Sequence, residues 1–74
     1  MTAAANDRFR ITHPDGSTTA LNDAGHVVGW TERGLAGWSA FWHSRGGDQR
    51  RWADSPEAAA ELLFAGIAEE AQQS

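Results

Sequence analysis

The stretch WSAFWHSRGGDQRRWADSPEAAAELLF, residues 38–64, decides the fold. Its first part, Trp38–Arg45, lies between two glycine-rich turns and reads as a strand. Gly46-Gly47 then predicts a tight turn, and Asp48 to Trp52 a short return strand. After Ala53 the period changes. Ser55 is a good N-cap, Pro56 suits the first helical position, and Glu57 suits the positive end of the helix dipole. From there to about Ala71 the apolar residues Ala60, Leu63, Phe64, Ile67 and Ala71 recur every three or four positions, which predicts an amphipathic helix with one buried stripe.

Upstream, the same pattern repeats. A strand is expected over 26–33, followed by the turn Gly34-Leu35-Ala36-Gly37. Before it, Arg8–Thr12 and Ser17–Leu21 flank Pro14-Asp15-Gly16, a sequence with the φ preferences of a hairpin turn, and Asn22-Asp23-Ala24-Gly25 breaks the chain again. Residues 1–7 carry no periodicity and are expected to be disordered, which leaves 8–74 as one small domain. The expected class is α+β: an antiparallel meander of four to five strands, at about 8–12, 17–21, 26–33, 38–45 and 48–52, with one C-terminal helix (about 56–71) packed on one face.

Turn geometry assigns partners across the later hairpins. A loop at Leu35-Ala36 sets Arg33 opposite Trp38, Thr31 opposite Ala40 and Trp30 opposite Phe41; a two-residue Gly46-Gly47 turn sets Phe41 opposite Trp52 and Trp42 opposite Arg51. Val28, Trp30, Phe41 and Trp52 then share one face, expected to receive the helix as the core. Thr31, Arg33, Trp38, Ala40, Trp42, Gln49 and Arg51 share the other, expected to be open unless the N-terminal hairpin covers it with Phe9, Ile11 and Leu21.

Composition narrows the function. With 74 residues, 41% hydrophobic and 22% charged, the chain is of globular type. It holds no cysteine, so thiolate metal sites, disulfides and thiol nucleophiles are excluded. No N-terminal signal pattern or long apolar run is present, so a cytoplasmic location is expected. All six basic residues are Arg, and the net charge is −4. That charge is uneven: residues 26–53 carry +2 and the rest −6.

The run His26–Ala71, about 60% of the chain, resembles the three-stranded-sheet-plus-helix modules of plant AP2-type factors and phage integrase N-terminal domains in its strand spacing and its helix start Ser55-Pro56-Glu57-Ala58-Ala59. In those modules Arg and Trp on the sheet face away from the helix enter the DNA major groove. The resemblance implies that Arg33, Trp38, Trp42 and Arg51 form that surface here.

Catalytic signals are sparse. His13, His26 and His43 have no zinc-signature spacing, and His43 and Ser44, adjacent on a strand, point to opposite faces and cannot act as base and nucleophile together. Glu57 and Glu61 share a helix face as solvated carboxylates. No enzyme activity, metal or cofactor is expected. The expected function is that of a small regulatory or phage-type accessory module engaging a protein partner through Arg33, Trp38, Trp42 and Arg51, since Trp and Arg dominate interface hot spots. The alternative is DNA binding through the same four residues, which the net negative charge opposes.

Overall fold

The computed structural model describes residues 9–72, so the expected disordered segment 1–7 lies outside the described residues. Five strands, β1 (Arg10–Thr12), β2 (Thr18–Leu21), β3 (Val27–Gly34), β4 (Gly37–Trp42) and β5 (Gln49–Ala53), form one antiparallel sheet in the order β1-β2-β3-β4-β5. A single helix, α1 (Pro56–Gln72), follows. The class is α+β, as the patterning predicts.

Local chemistry accounts for each junction. In the first hairpin Asp15 Oδ1 accepts from both the backbone N–H (2.8 Å) and the hydroxyl (2.7 Å) of Ser17. Those two bonds hold the Asp15 carboxyl below its ordinary range. In the second turn Asn22 Oδ1 takes the N–H groups of Ala24 and His26. At the helix start Ser55 Oγ accepts from Ala58 N at 3.1 Å, the side-chain cap its position predicts.

The β3–β4 register is the expected one, with Trp30 opposite Phe41, Thr31 opposite Ala40 and Arg33 opposite Trp38. The β4–β5 register is not. Phe41 faces Arg50, Trp42 faces Gln49, and Arg51 faces Ala40. β4 ends at Trp42 because the chain turns over residues 43–48, with Gly47 N–H donating to Ser44 O at 3.2 Å and His43 bridged to Asp48 at 2.8 Å. The connection is therefore longer than a two-residue turn, and the partners shift by two. A shift of two preserves which residues share a face.

The face assignment is reversed. Helix α1 lies on the face of Trp38, Ala40 and Trp42, so that Trp38 and Trp42 are only 9% and 6% exposed. The buried cluster is Ala20, Ala40, Trp42 and Leu63, with Val28, Leu62, Phe64 and Ile67 packed against it. Of the expected core residues, Trp30 and Phe41 lie half-buried on the opposite side and Trp52 is 61% exposed. The expected open face does not describe Trp38 and Trp42: helix α1 covers them, and Gly16 in the turn of the N-terminal hairpin lies against the Trp38 ring beside Pro56.

Size and charge explain the choice. The covered face is flat at its centre, with Thr18, Ala20, Gly29, Thr31 and Ala40 beneath the helix. A side chain at Gly29 would meet Leu63 Cδ1 at 2.6 Å and Phe41 O at 2.7 Å; one at Gly66 would overlap the Trp42 indole. Both glycines thus let backbone approach side chain closely, at the cost of helix propensity for Gly66. The other face carries Glu32, Asp48 and Arg50, whose burial under a helix would strip charges of water. The polar groups that the helix does cover are satisfied: Thr31 Oγ1 accepts the Thr18 N–H at 2.8 Å.

Leu63→Ala is expected to lower stability by ~2–5 kcal/mol, and Gly66→Val to abolish cooperative unfolding by driving the helix off Trp42. Trp52→Ala should stay within about 0.5 kcal/mol of wild type. Urea denaturation followed by circular dichroism checks all three.

Candidate binding face

The sheet face turned away from α1 holds the exposed aromatic surface of the described chain. Period-two alternation along three strands puts Trp30 and Glu32 of β3, Phe41 of β4, and Arg50 and Trp52 of β5 on this side, with His43 just beyond β4. Trp30 and Phe41, opposite each other in the ladder, stack with ring centroids 4.5 Å apart. His43 meets both edge-on, at 6.1 Å and 5.9 Å. The guanidinium of Arg50 lies 5.7 Å from the Phe41 centroid and 5.8 Å from that of Trp52, bridging the two rings. Ile11, 43% exposed, extends the surface at the far strand.

The charges on this face are unequally occupied. Glu32 Oε1 accepts from Trp30 Nε1 at 3.0 Å, and Asp48 Oδ1 accepts from His43 Nδ1 at 2.8 Å. Both carboxylates therefore serve to orient aromatic rings. Among the described residues the one contact of a carboxylate with a basic side chain is His43–Asp48, so the Arg50 guanidinium has no carboxylate partner there and rests on the Phe41 and Trp52 rings. The result is a rigid aromatic platform with one free cation at its centre.

The four residues singled out from sequence do not assemble into one surface. Trp38 and Trp42 are core. Arg33 is exposed near the end of β3, opposite Trp38. Arg51 is exposed on the helix side of β5, its guanidinium 5.9 Å from the Trp42 ring and its Nη1 donating to Arg50 O at 3.2 Å. What the sequence reading missed, Arg50 with Trp52, carried a signal of the same kind as Arg51 with Trp42, an Arg and a Trp on one sheet face, here two residues apart along β5.

Elsewhere, the Ser44 hydroxyl donates to the Gly47 carbonyl and not to His43, so this hairpin holds no paired base and nucleophile. Among the described residues no group of three His, Asp or Glu gathers as a metal set. A shallow cleft of about 380 Å³ lies between the β4–β5 hairpin and the end of α1, floored by Trp42 and Gly66, and its rim mixes Arg45 and Arg51 with Glu69 and Glu70. Among the described residues no helix is long and apolar enough to cross a membrane.

Acrylamide should quench one fraction of the tryptophan emission readily and leave a second, blue-shifted fraction protected. Trp52→Phe removes most of the accessible fraction, while Trp38 and Trp42 account for the protected one; a Trp52→Phe protein whose accessible emission is unchanged contradicts this placement. No protein-family model, curated protein or solved structure matches this chain.

Proposed function

We propose that this chain is a small non-catalytic binding module that engages a protein partner through the sheet face opposite the helix, with Arg50 and Trp52 as anchors and Trp30 and Phe41 as the platform beneath them. The observation that carries this reading is Trp52, 61% exposed beside an arginine that no carboxylate among the described residues neutralises. Contiguous exposed apolar patches on monomers often mark binding sites, Trp52 adjoins Phe41 and Trp30 through Arg50, and Trp and Arg are the residue types that dominate binding hot spots. A platform already ordered by a five-stranded sheet loses little conformational entropy on binding.

A duplex-DNA reading draws on the position of Trp30, Arg50 and Trp52, since AP2-type modules use the sheet face away from the helix. Charge favours the protein reading: the chain is at −4, and this face carries the acids Glu32 and Asp48 as well as Arg50. A mobility shift against mixed-sequence duplex at ~50 mM salt separates the two, because a phosphate-driven complex is strongest there. No retardation is expected.

The double variant Arg50→Ala with Trp52→Ala should keep its circular dichroism spectrum and melt within a few degrees of wild type, yet lose the protein partner that wild type retains in affinity purification from host extract. Leu35→Ala, at a fully exposed turn away from the face, should retain it. Equal retention by the double variant overturns the assignment of this face.

A further inference from the structure

Strand β5 is an edge of the sheet, and the hydrogen-bond alternation tells which of its peptide groups are free. His43 N–H donates to Val28 O at 3.0 Å, so Val28 and His43 exchange bonds between β3 and β4. Stepping by two, Phe41 and Ser39 also direct their peptide groups toward β3. The intervening Trp38, Ala40 and Trp42 therefore bond toward β5, to Ala53, Arg51 and Gln49. The N–H and C=O of Arg50 and Trp52 are left pointing outward along the open edge. The bond from Arg51 Nη1 to Arg50 O agrees, since it occupies an acceptor that the ladder does not use.

Arg50 and Trp52 thus present their side chains to the open face and their peptide groups to the open edge. We propose that β5 accepts an extended acidic segment of another protein as a sixth strand, with two consecutive carboxylates opposite Arg50 and Arg51 and an aliphatic residue against Trp52. This rests on the open-face reading and names the partner's chemistry. Strand addition satisfies the outward peptide groups, and alternate side chains then meet the two faces of β5 separately.

Charge selects the occupant. β5 reads Gln49-Arg50-Arg51-Trp52-Ala53 and contains no acid. The carboxylates of Glu32 and Asp48 on the open face are held by Trp30 and His43. A second copy of the chain pairing β5 with β5 about Arg50 or Arg51 would set arginine against arginine across the new ladder, which is destabilising. Carboxylates placed there on a different chain meet two cations, one on each face. Arg50 and Arg51 also guard the edge, because an apolar strand gains nothing from displacing the Arg51 guanidinium from the Arg50 carbonyl.

The probe is a fluorescein-labelled, end-capped peptide, Gly-Ser-Thr-Val-Glu-Glu-Val-Thr-Gly, titrated by anisotropy, with a Lys-Lys peptide of the same frame as control. Saturable binding of the acidic peptide alone is expected, together with slowed hydrogen exchange at the Arg50 and Trp52 amides. Arg50→Ala should weaken binding about fivefold, the loss of a charge-assisted contact. Arg50→Pro, which removes an N–H outside the ladder and so leaves the sheet intact, should weaken it about tenfold more. No binding at 1 mM peptide, about a thousandfold above a micromolar complex, overturns the proposal. So does equal binding by the Ala and Pro variants with unchanged exchange at Arg50 and Trp52. If the peptide is lost on Trp52→Ala in that second case, the face reading stands and only the strand addition falls.

Discussion

The contact on which this structure depends is the bare meeting of helix and sheet at two glycines. Leu63 fits above Gly29, where any β-carbon would collide with it, and Gly66 lies directly against the indole of Trp42. These two approaches bring α1 close enough to bury Leu63 completely among Ala20, Ala40 and Trp42, and Ala59 and Ala60 are almost fully buried on the same helix. A chain of 74 residues has too little interior to tolerate a gap there, since each missing methylene is a large share of a small core. Helix propensity is sacrificed at Gly66 and strand propensity at Gly29, and the packing gained outweighs both.

Everything on the far side follows from that commitment. Once the small residues receive the helix, the bulky row of Trp30, Phe41 and Trp52 must remain on the other surface, because period-two alternation leaves it nowhere else to go. The chain does not leave that row loose. Glu32 holds the Trp30 indole by its N–H, and Asp48 holds the His43 imidazole, so both acids of the face act as braces for rings. Arg50 is left with aromatic neighbours only, a weaker hold than a carboxylate would supply and one a ligand's own carboxylate can supplement.

The same alternation links face and edge. Because Arg50 and Trp52 are the β5 residues that turn away from the helix, and because the ladder to β4 uses their neighbours, one pair of residues presents both side chains and peptide groups outward. Exposed edges invite indiscriminate pairing, and consecutive arginines are one means by which a sheet restricts that pairing to partners of opposite charge.

Much of the architecture was legible in the residues themselves. The change of period after Ala53, with Ser55 capping and Pro56 leading, defines where sheet yields to helix, and Leu35-Ala36 between two glycines defines the β3–β4 register, because short-range sterics act within a few residues. The β4–β5 register was not legible from Gly46-Gly47 alone: the His43–Asp48 bridge closes a longer turn, a side-chain contact that no backbone preference encodes. Nor was the choice of covered face. Period two sorted Trp30, Phe41 and Trp52 from Trp38 and Trp42 correctly, yet both sets are aromatic and both offer apolar area to a helix. Only the assembled sheet decided between them, since closeness of approach depends on Ala20 lying opposite Gly29, with Ala40 two residues along the same face on a third strand, and on leaving Glu32, Asp48 and Arg50 in water.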